Sequence, residues 1–373
     1  MKKKVTIAVL CLAILCIVSC KKRKSPENTG TSEMSKTNYS EDSMENEDSI
    51  MLSMQGRKLT EEEIQKLEEK LQANPEDLMS RIKVLGWYSG KRFTSESAAK
   101  ARAKHILWII QNHPDADIAG TPEIYLDPVM DKDTYSTAKD LWLEQIEAQK
   151  TNTVVLGNAA QFFLIYDKEI AEDLLKKAQT LEPKNSTWPE QLGRLYSMGL
   201  ISNSDNTNTE LASQALEQFE KSYTITTSDR DKFYKLADLA KMAYEVGDLK
   251  KAENYANELL AKATQYKSDW NYGNAIHHGN LILGRIALNS NDIGKAKEYL
   301  IKAGNTSGSP QLDSFGPSMT LAKELLEKNE KETVIQYFEL CGNFWEMGED
   351  KLKKWTADVK EGRVPDFQAN LSY

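Results

Sequence analysis

The chain has 373 residues, with 48 basic and 56 acidic side chains and a formal net charge of −8. That balance argues against a general nucleic-acid or membrane-surface role, since those need a positive field. Four cysteines are present, Cys11, Cys16, Cys20 and Cys341. The lone distal thiol cannot form an internal disulfide within the body or supply a zinc site by itself, so packing must hold the fold.

Lys2, Lys3 and Lys4 precede Val5 to Val18, an uncharged apolar run of about fourteen residues. That is the size of a signal-peptide core and short for a bilayer span. Ile17-Val18-Ser19-Cys20 follows. This tetrad resembles a bacterial lipobox: two branched apolar residues, a small residue and a cysteine. The resemblance implies that residues 1–19 are a signal peptide, that the chain is cut before Cys20, and that Cys20 carries a fatty-acyl anchor such as palmitate. Cys16 fits worse, because bulky Leu15 would sit at the cut; an ordinary secretory signal or an uncleaved anchor is the alternative. Losing residues 1–19 removes three lysines and no acid, which brings the mature charge to about −11. Lys21 and Lys22 follow Cys20 with no Asp of the kind that signals inner-membrane retention, so an outer-membrane envelope location is expected over the inner membrane.

Residues 20–57 read as a lipidated, disordered linker, rich in Ser, Glu, Asn and Met. Its Lys21–Lys24 cluster would lie beside anionic headgroups, at roughly 1 kcal/mol per charge; a solvated spacer is the plainer reading. Residues 58–373 form the expected folded domain. Thr60 and Glu63 have capping-box spacing, and Leu59 and Ile64 can staple the entry. Ile64, Leu67 and Leu71 then recur at helical spacing. From there the chain predicts helix after helix without a strand, and Pro and Gly fall between the periodic segments.

A 34-residue register runs through these helices. Residues 152–185 place Val155, Ala159, Phe162, Ala171, Leu175, Ala178 and Pro183 in it. The next unit gives Leu192, Gly193, Tyr196, Ala215, Phe219 and Ser222, with a polar insertion around Ser202 to Thr209. Later units give Leu236, Leu239, Ala240, Gly247, Ala252, Ala256 and Leu259, then Leu283, Gly284, Ala287, Ala296, Leu300 and Ala303. A degenerate last unit has Leu321, Ala322, Leu325, Phe338 and Cys341, and a first unit lies around Leu85-Gly86 and ends at Pro114. Residues 115–150 are an insertion with a helix over Thr134 to Gln149. The register resembles the tetratricopeptide (TPR) repeat. The resemblance implies an all-α fold, an α-solenoid of helical hairpins in a right-handed superhelix, with the first helix of each hairpin lining a concave groove. Another helical-hairpin solenoid is the alternative.

No phosphate-binding Gly loop, nucleophile elbow or metalloprotease helix occurs. Adjacent His277 and His278 point about 100° apart on a helix and cannot hold one metal together. Cys341 sits where the repeat wants Ala, which reads as core. No catalytic residue, metal or cofactor is expected, and the chain reads as a non-enzyme. Trp270 and Tyr272, at a junction, are the candidates for exposed aromatics.

Position 9 of successive TPR-like units reads Ala160, Arg194, Lys241, Arg285 and Lys323. Four cations at one groove position, in an acidic protein, make the candidate partner-binding set, with Phe163, Tyr234, Tyr244 and His278 beside them. The set resembles the carboxylate clamps of TPR co-chaperones, which implies an acidic segment or chain carboxylate as ligand; intramolecular pairing with acidic neighbours is the plainer alternative. The expected function is a lipid-anchored scaffold binding envelope proteins or peptides in the groove, attached to the membrane by its N-terminal lipid and with no nucleic-acid partner. The other class is a glycan- or nutrient-capture lipoprotein working with an outer-membrane transporter. The C-terminal run with Phe367 and Leu371 could fill the groove or cap the last helix.

Overall fold

The computed structural model describes residues 48–202 and 208–371. The expected signal peptide, Cys20, the linker up to residue 47, the core of the polar insertion and the last two residues lie outside it. Among the described residues there is no strand, and no helix is long and apolar enough to cross a membrane. The folded body divides into two compact units at Glu182–Pro183. The break falls where Pro183 follows a helix end, a position at which proline cannot continue the helix.

Unit 1 contains α1 (Ser49–Gly56), α2 (Glu61–Ala73), α3 (Leu78–Lys91), α4 (Glu96–Asn112), α5 (Lys132–Ala148), α6 (Thr153–Phe163) and α7 (Lys168–Leu181). α1 corrects the sequence reading, which ran the linker through residue 57. Its buried stripe is Leu52, Ser53 and Gly56. Two of these three are not apolar, so the periodicity that announces a helix is missing, and the contact is made by backbone instead. A Cβ on Gly56 would lie 1.9 Å from the Lys83 carbonyl oxygen, and one on Gly86 2.1 Å from that of Ser53. α1 therefore runs antiparallel along α3 at close range.

The capping box at α2 forms as expected: the Thr60 hydroxyl accepts from the Glu63 amide at 3.3 Å, and the Glu63 carboxylate accepts from the Thr60 amide at 2.8 Å. Thr60→Ala leaves one first-turn amide without its acceptor and should cost about 1 kcal/mol. Chemical denaturation measures this, and a variant as stable as wild type would show that tertiary contacts alone hold α2. In the 115–150 insertion, two short 3-10 turns at Asp117–Gly120 and Pro122–Ile124 precede α5. Buried Arg102 fixes the second, donating to the carbonyls of Glu123 at 2.8 Å and Tyr125 at 2.7 Å and to Ser89 Oγ at 3.1 Å.

Unit 2 contains α8 (Thr187–Ser202), α9 (Asn208–Ile225), α10 (Asp229–Glu245), α11 (Leu249–Ala263), α12 (Tyr272–Asn289), α13 (Ile293–Gly304), α14 (Pro310–Phe315), α15 (Thr320–Glu327), α16 (Lys331–Cys341) and α17 (Glu349–Lys360). Helices pack in sequence-adjacent pairs, α8 with α9, α10 with α11 and α12 with α13, and α10 also touches α12. The apolar register positions are buried throughout: Leu236, Leu239, Ala252, Ala256, Leu259, Ala296, Leu300 and Ala303 have no exposure above 1%. Small residues permit the close approaches, since a Cβ on Gly284 would meet Leu321 Cδ2 at 2.3 Å and one on Gly193 the Phe219 ring at 2.7 Å. Gly247 takes φ +81° at the turn between α10 and α11, a conformation other residues resist.

The C-terminal segment belongs to this core. Phe367 is 1% exposed and packs on Trp355 with ring centroids 5.0 Å apart. Asn370 Nδ2 donates to the carbonyls of Phe315 at 3.2 Å and Pro317 at 2.9 Å, and its carbonyl accepts from the Met319 amide at 2.8 Å. Cys341 is fully buried here, and burial pushes its thiol far above the ordinary range.

Candidate functional site

The four position-9 cations all lie in unit 2, on α8, α10, α12 and α15. They do not form a bare basic stripe. Arg194 donates to Glu190 at 2.9 Å, one turn back on α8, and lies 3.9 Å from Asp238 on α10. Glu190 also takes the ammonium of Lys235, a buried lysine that the repeat register does not single out. Burial alone would raise the Glu190 carboxyl, but the charges of Arg194 and Lys235 hold it below its usual value. Arg285 is held between Glu245 at 3.1 Å and Glu324 at 2.9 Å, with its guanidinium 4.1 Å over the Tyr244 ring. The plainer reading of these two arginines, pairing with acidic neighbours, therefore describes the geometry: cations and carboxylates alternate from helix to helix.

Lys241 differs. It makes no hydrogen bond or ion pair among the described residues, and Asp238 and Glu245 act on it only through space. Burial pulls its pKa below the ordinary lysine value, with Arg285 pushing the same way and the two carboxylates opposing. Lys241 lines a cavity of about 390 Å³ together with Asp238 and Glu245 of α10 and His278 and Arg285 of α12. Ser318 and Thr320, before and at the start of α15, and Leu371 from the C-terminal segment also line it. His278 is half-buried, and burial, with His277 and Lys241 nearby, pushes it down to about 3, so it stands as a neutral imidazole. The cavity thus offers one ammonium, one arginine already paired, neutral imidazole, two hydroxyls and the carboxylates of Asp238 and Glu245.

His277 serves structure. It is fully buried, its Nδ1 lies 3.1 Å from the Ala303 carbonyl oxygen, and its Nε2 accepts from the Ser318 amide at 3.1 Å. A carbonyl can only accept and an amide N–H only donate, so the ring is the neutral Nδ1–H tautomer. Tyr337 donates to the Ser318 carbonyl at 2.8 Å. His277 and Tyr337 therefore fix the backbone that carries one wall of the cavity.

The other candidates fall elsewhere. Lys323 is half-buried on α15, makes no ion pair among the described residues and does not line the cavity. Phe163 is a correction: it is fully buried in unit 1, edge-on to Phe162 at 5.1 Å, because it faces the packed side of α6 and not solvent. Tyr234 donates to Asp269 at 2.8 Å, and Arg230 bonds both of them. Trp270 is 37% exposed, and its ring meets Tyr234 at 5.6 Å with planes tilted by 37°. This gives one open ring, where a sugar platform would stack two coplanar ones.

Sequence reading missed Lys235, Ser318 and Thr320, which reach the site from outside the repeat positions; Leu371 was noted only for its spacing from Phe367. It also missed a buried polar cluster in unit 1. There Arg81 stacks 3.5 Å over Trp108 and donates to His105 Nδ1 at 3.2 Å, leaving His105 Nε2 to donate to Glu68 at 3.2 Å. No group of three metal-ligating side chains occurs among the described residues. No protein-family model matches the chain, and no curated protein is significantly similar to it.

Proposed function

We propose that this chain is a non-enzymatic, lipid-anchored scaffold of the bacterial cell envelope. In this reading Cys20 carries the acyl anchor, the helical pairs are TPR-like hairpins of a right-handed α-solenoid, and unit 2 takes a segment of another envelope protein on the face bearing its first helices. An anionic side chain or terminus of that segment seats at Lys241. The observation that carries the proposal is the contrast along the position-9 register. Arg194 and Arg285 are already neutralised by carboxylates, whereas Lys241 holds an undirected ammonium inside a cavity large enough for a side chain. A half-buried cation without a bonded partner is costly to the fold, and an incoming carboxylate would offset that cost on binding.

Lys241→Met tests this, because it keeps the stem and deletes the charge. The lowered pKa means that the fold disfavours protonated Lys241, so the variant should melt no lower than wild type. Its partner, captured from detergent-solubilised envelopes, should bind at least tenfold more weakly, the loss of about 1.5 kcal/mol or more expected when one charge-assisted bond goes. A partner held equally by both proteins would remove Lys241 from the site while leaving the scaffold; a variant that unfolds would show that the ammonium is structural.

A further inference from the structure

Unit 1 carries a surface that this binding reading does not use. Phe93, Val129 and Met130 are 70%, 85% and 69% exposed, the most open large apolar side chains among its described residues. They sit on two turns at one end of the unit. Arg102 joins those turns: it donates to Ser89 near the end of α3, just before Phe93, and to the carbonyl of Tyr125, which leads into the turn bearing Val129 and Met130. That turn is preformed. Asp127 Oδ1 accepts from the amides of Val129 at 2.7 Å and Met130 at 3.0 Å, and Tyr166 holds the other carboxylate oxygen at 2.8 Å. The two apolar side chains are thus displayed outward by a rigid backbone. Lys91 and Arg92 flank Phe93, Arg92 lying 4.2 Å over its ring.

The described chain also begins at this end. α1 runs antiparallel to α3, with Gly56 against Lys83 and Ser53 against Gly86, so Asp48 and Ser49 lie beside the last turn of α3. A chain of the length between Cys20 and Asp48 spans about 30 Å as a coil and about 95 Å fully extended. Either reach brings this end of unit 1 to a bilayer holding the Cys20 lipid.

We propose that this end of unit 1 is a membrane-contacting tip. Phe93, Val129 and Met130 enter the boundary between headgroups and acyl chains, and Lys91 and Arg92 face lipid phosphates. The inference rests on the lipid-anchor reading for which membrane is met. Separate apolar side chains on two adjacent turns, with basic stems beside one of them, suit insertion among lipids. The contact adds a second membrane signal to a single anchor and orients unit 1 against the bilayer.

The test uses the full mature protein in vesicles of phosphatidylethanolamine and phosphatidylglycerol. Spin labels go on Phe93→Cys and Val129→Cys, with Met347→Cys, 80% exposed in unit 2, as the aqueous reference. Native Cys341 is fully buried and does not label. Labels at 93 and 129 should show a several-fold loss of accessibility to a water-soluble nickel complex, and a gain to oxygen, relative to 347. Equal accessibility at all three sites overturns the tip, including the case where the labels become covered only on adding an envelope protein. Mass spectrometry of the N-terminus separates the two readings. If Cys20 proves unlipidated, the anchor reading fails and the same labels, on a Cys20→Ser background that removes the free thiol, are read with excess vesicles added: protection then still supports the tip, and no change overturns it.

Discussion

Gly86→Ala should destabilise unit 1 by about 3 kcal/mol, although alanine is the better helix former by about 1 kcal/mol. The added methyl would sit 2.1 Å from the Ser53 carbonyl oxygen and 2.8 Å from its hydroxyl. Both belong to α1, which is itself pressed onto α3 at Gly56, so neither helix can yield without opening the other contact. The same substitution at Gly90, one turn later on α3, has the opposite sign. Nothing lies within 4 Å of a Cβ there, and the position is exposed, so Gly90→Ala should stabilise by about 0.5–1 kcal/mol. Chemical denaturation gives the two signs, and hydrogen exchange in α1 and α3 shows whether α1 has detached. Equal stability of the two variants would mean that α1 does not hold α3 at this distance.

The second large effect is set by acid. His277 is held neutral by burial, at about 4, while its ordinary value is 6.5. Protonating it would place an N–H against the Ser318 amide donor, so the folded ring resists the proton that the unfolded side chain accepts. Between those two values the unfolded chain binds more protons, and stability is lost as pH falls. From pH 7 to pH 4 this one group should cost unit 2 about 3 kcal/mol. The measurement is the difference in denaturation free energy between wild type and His277→Gln across that range, which cancels the carboxylates common to both. Parallel curves would show that His277 takes its proton without penalty.

Much of the fold was legible because it is written in side-chain spacing. Thr60 and Glu63 predicted the start of α2, and the repeat register predicted buried positions from Val155 to Cys341 before any contact was known. α1 was not legible, because Ser53 and Gly56 pack by backbone proximity, which leaves no apolar stripe to count. The cationic ladder was legible as a column of charges, and the i,i+4 pair of Glu190 with Arg194 could be read with it. What set Lys241 apart could not. Its difference from Arg285 depends on Glu324, His278, Ser318, Thr320 and Leu371, which come from separate helices and a terminal segment that no fixed spacing links. Phe163 shows the reverse limit: a groove position inferred from the TPR pattern became core once α5 and α7 packed around α6.

The seating of Leu371 in the wall around Lys241 has a consequence for how the protein is made. The chain emerges from the ribosome, and in the lipoprotein reading crosses the membrane, from its N-terminus onward. Residues 241, 285 and 320 therefore emerge before residue 371, and the turn through Asn370 that fixes Met319 can close only after them. Any interrupted or clipped polypeptide lacking this segment would display the lysine in an unfinished enclosure. Formation of this wall thereby depends on the segment around Leu371, and a partner that requires the closed wall would distinguish copies that carry the segment from copies that lack it.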